Sequence, residues 1–147
     1  MQGKFVIISI NISLKKGEQK KPVETAVIEA DHGIHGDAHA GNWNRQISLL
    51  AGESIDGVKE VLPTLKNGAF AENIITRGMD LSSLRIGDRL QIGDEVILEI
   101  TQIGKECHNS GCAIKKATGD CIMPREGIFA RVIKGGTLKK EQQIRIV

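Results

Sequence analysis

Short apolar runs rich in Ile and Val, separated by polar turns, constrain the fold of this chain more than any other feature of its sequence. The runs are FVIISINISL, PVETAVIEAD, QISLLA and the pair within LRIGDRLQIGDEVILEITQI. In the last stretch Val96, Leu98 and Ile100 occupy alternate positions and Gly-Asp supplies the turn, which is typical of a hairpin. Aromatic residues are only 3% of the chain, without Tyr, so the core must consist mainly of Ile, Leu and Val. Because Ile and Val fit a pleated, half-buried surface, we expect β-structure.

The segments between these runs predict the remaining elements. The polar run KKGEQKK is typical of a hairpin loop, and LKKEQQIRIV of a turn followed by a last strand. In GESIDGVKEVLP a short helix ends at Pro63, and its apolar face consists of Ile55, Val58 and Leu62. MPREGIFARVIKGG predicts another short helix, which starts near Pro124 and is closed by Gly135 or Gly136. Many short strands with few helices predict a β-rich fold with a barrel-like closed sheet, formed by residues 1–147 as a single domain.

Charge and hydropathy exclude several classes of partner. The formal net charge is +2, and no block of Lys and Arg is interleaved with aromatic residues, so we expect no nucleic-acid partner. No segment approaches the roughly 20 apolar residues that span a bilayer, so we expect no membrane contact. The N-terminal apolar run is interrupted by Ser9, Asn11 and Ser13 and precedes no small-residue cleavage site. It therefore predicts a strand rather than a signal peptide, and a cytoplasmic location.

All three cysteines lie in one stretch, GKECHNSGCAIKKATGDC, which spans Gly104 to Cys121. Three cysteines cannot all pair within one chain, and a reducing compartment keeps them as thiols, which disfavours a disulfide. Structural zinc usually takes cysteine pairs two to four residues apart. Here four residues separate Cys107 from Cys112, which is the upper limit of that spacing, and eight separate Cys112 from Cys121, which exceeds it. His108 adjoins Cys107, so the two cannot easily bind one ion together. We therefore expect no structural zinc.

A reactive thiol is the other interpretation of this stretch. Lys105 and His108 flank Cys107, and nearby cations favour the thiolate, which is the nucleophilic form. Gly104 and Gly111 leave the backbone free to approach a ligand closely. Against this stands the common fate of a free cysteine, which is to be a small buried apolar residue. The residues alone leave these alternatives open.

A second irregular segment, HGIHGDAHAGNWNRQ, is rich in Gly, His and Asp. His35, Asp37 and His39 alternate, and on an extended stretch they would point to one side and could bind a metal. Alternatively Asp37 accepts hydrogen bonds and fixes a turn, and the histidines are polar loop residues. Arg45 could hold a phosphate or pair with a carboxylate, and Trp43 could form a pocket wall or part of the core. We predict that the region from His35 to Arg45 lies beside Cys107 as the anion-holding side of one pocket.

Three stretches together resemble the MOSC domain family, named after the C-terminal domain of molybdenum cofactor sulfurases. GIHGDAHAGNWNRQISLLAGESI is similar to its G-x-x-G-D-x-H signature, which is followed by R-Q and S-L. AFAENIITRGMDLSSLRIGDRLQIG is similar to its F-x-E-N core, which leads to a Gly-Asp turn. The cysteine stretch with GIFARVIKGG is similar to its cysteine segment and tail, in the form found in small stand-alone bacterial members.

The resemblance implies a β-rich, barrel-like fold and a role in handling sulfur for the molybdenum cofactor (molybdopterin). In TQIGKEC the resemblance places Cys107 at the position associated with the metal or its sulfur, which implies that Cys107 is the catalytic residue. It leaves Cys112 and Cys121 as secondary thiols. The residues expected to bind the cofactor are His35, Asp37, Arg45, Asn73, Lys105 and His108. One departure from the family is Glu141 and Gln142, where relatives often have Gly-Asp in the last turn.

Two functions follow from the resemblance. In the first, the protein is a sulfur carrier or a cofactor-binding module that uses a reactive cysteine and serves a molybdenum or tungsten enzyme. The sequence contains no aminotransferase-like domain that could extract sulfur from free cysteine, so the donor would be a cysteine desulfurase or a sulfurtransferase. In the second, the protein is a small reductase of N-hydroxylated compounds that depends on the molybdenum cofactor. The short chain leaves little wall around a bulky pterin, which favours the first function.

Overall fold

A computed structural model describes residues 5–16, 18–104 and 126–147 of the chain. Within these residues the chain forms strands, one α-helix and one short 3₁₀-helix, and Glu126 is also helical. The strands of the first half are β1 (Val6–Ile12), β2 (Lys21–Val23), β3 (Thr25–Glu29), β4 (Gly33–Ile34), β5 (Ile47–Ala51) and β6 (Ile74–Arg77). Those of the second half are β7 (Arg89–Ile92), β8 (Val96–Ile103), β9 (Ile128–Lys134), β10 (Gly136–Lys139) and β11 (Ile144–Ile146). The helices are α1 (Gly52–Lys59) and the 3₁₀-helix Leu81–Ser83.

These strands form two sheets. The larger has eight strands in the order β11-β7-β8-β9-β5-β6-β1-β2, and the smaller has three in the order β10-β3-β4. Every pair of neighbours is antiparallel except β5 and β6, which run parallel. The parallel pair requires a crossover between β5 and β6, and α1 lies in it. The fold is thus β-rich with few helices, as predicted.

The predicted closed barrel is not confirmed. The two ends of the larger sheet approach one another, because β1 forms a single bridge from Val6 to Gln143, the residue before β11. The amide of Ile7 donates to the Gln142 carbonyl at 3.1 Å, and the amide of Ile144 donates to the Phe5 carbonyl at 2.7 Å. Among the described residues these contacts do not form a ladder that closes the sheet.

The core consists mainly of aliphatic side chains from the strands, as the composition predicts. Its fully buried members include Ile7, Ile10, Ile47, Leu49, Ile74, Leu90, Leu98 and Ile100. A second cluster forms where α1 covers the other face of β5, β6 and β9. There Ile55 of the helix packs with Leu50, Ile75 and Phe129, and Val58 and Leu62 extend the contact. The predicted helical face is therefore confirmed for Ile55 and Val58, whereas the helix ends at Lys59 and not at Pro63, so Leu62 packs on the same cluster from the segment that follows α1. Each fully buried aliphatic side chain contributes roughly 1.5–3 kcal/mol.

Two sequence predictions of local structure are wrong. GIFARVIKGG does not form a helix, because β9 occupies Ile128–Lys134 and pairs with both β5 and β8. The run PVETAVIEAD is not one strand. It divides at Glu24 into β2, which pairs with β1, and β3, which pairs with β10 in the other sheet. The predicted start of the helix near Pro124 lies outside the described residues.

The remaining predicted strands are confirmed. The N-terminal run contains β1, QISLLA contains β5, and the paired runs form the β7–β8 hairpin. LKKEQQIRIV contains β11, which adds to β7 at the edge of the larger sheet. In the parts of the chain that the structure describes, no helix has both the length and the apolar character needed to cross a bilayer.

The last turn, where the chain departs from the family's Gly-Asp, places Glu141 at φ 71. This left-handed conformation costs an L-residue roughly 1–2 kcal/mol, a cost that glycine escapes. We therefore expect Glu141→Gly to raise the free energy of unfolding by up to about 1 kcal/mol, measured by urea denaturation. Glu18→Gly, an exposed change in the β1–β2 loop, is the control. An unchanged or lower stability for Glu141→Gly would show that the Glu141 side chain makes a compensating contribution.

Candidate functional site

A fully buried lysine lies between two of the irregular segments. Lys20 is 2% exposed, and its Nζ lies 2.8 Å from Oδ1 of Asp37. The same Nζ lies 3.1 Å from Oγ of Ser13 and 2.9 Å from Nδ1 of His39. We call Ser13, Lys20, Asp37 and His39 the Lys20 network. It joins the β1–β2 loop to the loop that follows β4.

Asp37 accepts hydrogen bonds and fixes a turn, which agrees with the alternative to a metal site that the sequence left open. Oδ1 accepts from the amide of Ser13 at 3.0 Å, and Oδ2 accepts from the amide of His39 at 3.2 Å. Burial alone would raise the pKa of Asp37. Other interactions outweigh this effect of burial and hold the pKa of Asp37 below its ordinary value. They are the hydrogen bonds from the Lys20 side chain, the Ser13 amide and the Asn73 side chain, together with the positive charge of Lys20. Asp37 is therefore a carboxylate near neutral pH and balances the ammonium of Lys20.

Glu72 of the F-x-E-N motif is linked to the same lysine through the backbone of Gly68. Its carboxyl accepts from the amides of Gly68 and Phe70, each at 3.0 Å, and the Lys20 amide donates to the Gly68 carbonyl at 2.8 Å. Burial raises the pKa of Glu72, although the amides of Gly68 and Phe70 and the charge of Lys20 oppose the rise. The two family motifs thus converge on Lys20, which neither motif contains.

Asn73, which we expect to bind the cofactor, is fully buried between strands. Its Oδ1 accepts from the amide of Ser48 at 3.0 Å, and its Nδ2 donates to the carbonyl of Asn11 at 3.1 Å. Its backbone carbonyl accepts from the amide of Asn11 at 2.7 Å. These contacts account for the burial of Asn73 without a cofactor, and they give it a structural role between β1 and β5.

His35 lies away from the Lys20 network. Its side chain is 71% exposed, and Nδ1 lies 2.9 Å from Oε1 of Glu29 on β3. The chain from His35 to His39 is not extended, because it follows β4 as a series of turns. His35, Asp37 and His39 therefore do not point to one side as a metal site requires. Among the described residues no group of three or more His, Cys, Asp and Glu side chains could hold a metal ion.

Cationic and aromatic side chains collect around the single tryptophan. Nζ of Lys16 and Cζ of Arg45 each lie 4.7 Å from the centre of the Trp43 ring. The His39 ring stacks parallel to the Trp43 ring, with centroids 6.3 Å apart, and Nε1 of Trp43 donates to the His39 carbonyl at 2.7 Å. We call Lys16, His39, Trp43 and Arg45 the Trp43 cluster. Arg45 thus contacts aromatic rings, and it pairs with no carboxylate among the described residues.

The segment that leads into the Trp43 cluster is held against β9. Oδ1 of Asp31 accepts from Nη2 of Arg131 and, at 3.1 Å, from Nε2 of Gln46. The buried Gln46 also accepts from the amide of Val132 at 2.9 Å. A loop of this length would otherwise vary in position, and these contacts give it a rigid base on the sheet.

The same loop contacts the strand that leads into the cysteine segment. Nδ2 of Asn44 donates to Oε1 of Gln102 at 2.8 Å, and the hydroxyl of Thr101 donates to the Asn44 carbonyl. Cζ of Arg45 lies 5.7 Å from the centre of the Phe129 ring, next to Gln102 in the strand register. The amide of Gly104 donates to the Gly127 carbonyl at 2.7 Å, so the chain leaves and re-enters the sheet at one point. Lys105, Cys107, His108, Cys112 and Cys121 lie outside the described residues.

The sequence does not reveal the central part of the Lys20 network. Lys20 lies in KKGEQKK, which is typical of an exposed loop, and no periodicity marks one of its lysines as buried. The sequence names His39 only as a possible metal ligand and not among the residues expected to bind the cofactor, because a histidine in a Gly-rich loop has an ordinary explanation as a polar surface group. The one available signal for either residue is the G-D-x-H signature, which contains His39.

The MOSC domain family matches residues 36–145, which is more than half of the chain. The chain belongs to the MOSC domain family. The match begins at Gly36, immediately before Asp37, and therefore includes His39, Trp43 and Arg45 of the site. MOSC domains are associated with proteins that use or mature the molybdenum cofactor. A protein from Gibberella moniliformis named reductase is 25% identical over 154 residues, which cover 91% of this chain and 28% of that protein. The chain thus spans little more than a quarter of that relative.

Solved MOSC-like structures share the fold. The YuaD protein from Bacillus subtilis superposes with a TM-score of 0.76 at 20% identity, covering 98% of this chain and 97% of that one. YiiM from Geobacillus stearothermophilus superposes with a TM-score of 0.70 at 18% identity, covering 97% of this chain and 75% of that one. YiiM from Escherichia coli superposes with a TM-score of 0.67 at 17% identity, covering 99% of this chain and 70% of that one. At these identities the comparison shows the arrangement of the strands, which agrees with the present one.

Proposed function

We propose that this MOSC domain handles sulfur for the molybdenum cofactor, as a sulfur carrier or cofactor-binding module in which Cys107 holds the reactive sulfur. The observation that supports the proposal best is the position of the Trp43 cluster. Its loop contacts Gln102, two residues before Gly104, where the chain leaves the sheet toward the cysteines. A site for an anion beside a strand that ends near a reactive thiol is the arrangement that such a function requires.

The charges of the Trp43 cluster fit an anionic ligand. Lys16 and Arg45 both lie within 4.7 Å of one indole centre, and no described carboxylate pairs with either cation. Two like charges held on one ring repel each other unless an anion neutralises them. Guanidinium groups bind phosphate oxygens with two parallel hydrogen bonds, and ammonium groups bind them as point charges.

The cofactor therefore fits this part of the site at its phosphate end. Lys16 and Arg45 would hold the phosphate of a molybdopterin, while Trp43 fixes the two cations. When bound, the cofactor supplies a metal–sulfur centre. Of the residues predicted to bind it, the described contacts support Arg45, whereas Asp37 and Asn73 are occupied by buried protein partners and His35 by Glu29.

The assignment of Cys107 is tested by graded alkylation at pH 7, since the rate of reaction follows thiolate fraction and access. We expect Cys107 to be modified before Cys112 and Cys121. We also expect Cys107→Ser to abolish loading of a persulfide from a sulfurtransferase, while Cys112→Ser and Cys121→Ser, the matched controls, still load. Full loading of Cys107→Ser, or faster labelling of another cysteine, would contradict the assignment.

Arg45→Ala should weaken binding of molybdopterin or of inorganic phosphate by at least 10-fold, because a charge-assisted hydrogen bond contributes roughly 1.5–3 kcal/mol. The free energy of unfolding should change by no more than about 1 kcal/mol, the usual scale for a partly exposed change. Binding is measured by calorimetry and stability by urea denaturation. Arg85→Ala, at an exposed arginine outside the cluster, is the control and should leave binding unchanged. Unfolding of Arg45→Ala would show that Arg45 is structural.

A small molybdenum-cofactor-dependent reductase is the second candidate, and the relative named reductase favours it. Metal and pterin analysis of the purified protein separates the two. A reductase should copurify with stoichiometric molybdenum or tungsten and pterin, whereas a carrier should copurify without the metal. For a carrier we propose a cysteine desulfurase or sulfurtransferase as donor, a molybdenum or tungsten enzyme as recipient, and a cytoplasmic location.

A further inference from the structure

An exposed leucine stands on the β1–β2 loop beside a cavity in the protein surface. Leu14 is 85% exposed, the largest exposed fraction among the large apolar side chains that the structure describes. It lines a cavity of about 320 Å³, which is in the lower part of the range of roughly 300–1,000 Å³ typical of ligand sites. Ile12 and Val23 are its other apolar lining residues, and Glu18, Gln19 and Lys21 also line it. We call this cavity the Leu14 groove.

Buried contacts at both ends of the loop hold Leu14 in its exposed position. The preceding residue, Ser13, is buried, and its amide and carbonyl are both hydrogen-bonded to the loop that follows β4. The Ser13 hydroxyl donates to the Lys15 carbonyl at 3.2 Å, and the buried Lys20 fixes the other end of the loop. Leu14 cannot turn inward without breaking these contacts. A large apolar side chain held in water beside an apolar groove is typical of an interaction surface.

The charge around the Leu14 groove is positive. Lys21 lines the groove, Lys15 and Lys16 directly follow Leu14, and all three lysines are exposed. Among the described residues Glu18 is the one carboxylate in the lining, and no described carboxylate forms an ion pair with any of these lysines. Such a surface attracts an acidic partner, because complementary charges raise the rate of association and fix the orientation of the complex.

We propose that the Leu14 groove is the docking surface for the protein that donates sulfur, and that an acidic face of this donor places an apolar side chain in the groove. The inference rests on the proposed function, which requires such a donor. The location of the groove supports it, because Nζ of Lys16 lies 4.7 Å from the centre of the Trp43 ring. A donor seated on the groove therefore adjoins the Trp43 cluster, whose loop contacts Gln102 on the strand that leads to the cysteines.

Other occupants fit the groove poorly. In a two-fold dimer formed through this surface each groove would face its copy, so that lysines would face lysines. Attachment to anionic lipid uses clusters of about four to eight basic residues, whereas three exposed lysines lie here. Addition of a partner strand is also disfavoured, because β2 is an edge strand of three residues whose middle residue, Pro22, has no N–H. The groove therefore favours a partner that inserts a side chain.

Persulfide loading of the full chain tests the docking surface. The donors are a cysteine desulfurase and a sulfurtransferase, each charged with persulfide, and glutathione persulfide, which is too small to need docking. The Cys107 thiolate attacks the outer sulfur of the donor persulfide. A new S–S bond forms at Cys107, the S–S bond of the donor breaks, and the donor sulfur leaves as a thiolate, so no oxidant or reductant is consumed.

Leu14→Ser should raise the KM for a protein donor by about 10-fold or more, because it removes an apolar anchor of the interface. Lys15→Glu/Lys21→Glu should slow loading by a protein donor at low salt and should make the rate less dependent on ionic strength. Loading by glutathione persulfide should be the same in both variants as in the unmodified protein. Loading by glutathione persulfide alone, with neither protein donor active on the unmodified chain, would contradict the donor as the occupant.

Matched controls change exposed residues elsewhere. Ile86→Ser replaces an apolar side chain that is 67% exposed in another loop. Lys139→Glu/Lys140→Glu reverses two exposed charges at the end of β10. Both controls should load as the unmodified protein does, and urea denaturation should give the same midpoint for all these variants. Equal KM values for Leu14→Ser and Ile86→Ser would overturn the proposal.

Random peptides displayed on phage test the chemistry of the Leu14 groove without assuming a sulfur donor. Peptides that bind the unmodified protein but not Leu14→Ser should combine several Asp or Glu residues with one large apolar residue, and NMR should place them at the methyl groups of Leu14 and Val23. If such peptides are found but no donor loads Cys107, the proposed function is wrong and the groove remains a docking surface for an acidic protein.

Three results would show that the groove has another occupant or none. They are a selection that yields no acidic peptide dependent on Leu14, binding to vesicles of phosphatidylcholine and phosphatidylserine that Leu14→Ser abolishes, and a dimer that Leu14→Ser dissociates. Each of them would overturn the proposal, whatever the outcome of the loading experiment.

Discussion

Lys20→Met should lower the free energy of unfolding by about 3–5 kcal/mol, the usual cost of removing one partner from a buried ion pair. The substitution keeps the volume of the side chain but leaves the Asp37 carboxylate buried without its counterion. Asp37 would retain its two amide donors, which are too few to replace an ammonium at 2.8 Å. Urea denaturation measures the effect. Lys21→Met, at the exposed neighbouring position in β2, should change stability by less than about 0.5 kcal/mol.

The double variant Lys20→Met/Asp37→Asn should recover most of the lost stability, because neither member of the pair then places an uncompensated charge in the interior. A cost below about 1 kcal/mol for Lys20→Met, or no recovery in the double variant, would contradict the ion-pair explanation. The pH dependence gives an independent check. Because the pKa of Asp37 is lowered from 3.8, its contribution is fully present above that pH. It is lost as the pH falls through the lowered pKa, and the double variant should lack this loss.

Gly68→Ala should be comparably damaging, for a steric reason. Gly68 has φ +92, and a Cβ there would lie 2.0 Å from the carbonyl oxygen of Lys20, a backbone atom. The added methyl group must displace the segment that presents Lys20 to Asp37, so we expect a loss of about 3 kcal/mol or more. Thermal and urea denaturation measure it.

Gly87→Ala is the matched control for this change. Gly87 has nearly the same backbone conformation, with φ +98, but no atom lies within 4 Å of the added methyl group. It should cost only the roughly 1–2 kcal/mol of the left-handed conformation. The difference between the two variants isolates the contact with Lys20. Equal losses would mean that the close approach of Gly68 and Lys20 relaxes without cost.

The sequence predicts those elements whose burial is one-sided. β8 and α1 have apolar residues at the spacing of a strand and of a helix, and the structure has them there. β9 is different, because Ile128, Phe129 and Ala130 are consecutive and all buried, one face in the core and the other under α1. A run that is buried on both faces has no period of two, so its Pro and Gly flanks favoured a helix instead.

Some residues of the site could be predicted from the sequence and others could not, because sequence patterns report local contacts and not distant ones. Arg45 and Trp43 are single, conspicuous residues, and they do meet. Asp37 is found in a turn, because a short carboxylate hydrogen-bonds to amides nearby in sequence. The partner of Asp37 is 17 residues away, and local sequence patterns do not report such a distant contact. The burial of Lys20 depends on two loops that meet only in the folded chain.

The hydrogen bond between Gly104 and Gly127 has a consequence for how this fold can diversify. It ties together the two points between which residues 105–126 are inserted, so the register of β8 with β9 does not depend on what the insertion contains. The entropic cost of closing such an excursion grows only logarithmically, by about 0.6 kcal/mol for each doubling of its length. Cysteine number and spacing can therefore be changed, by evolution or by grafting, while the scaffold and the cations around Trp43 stay in place.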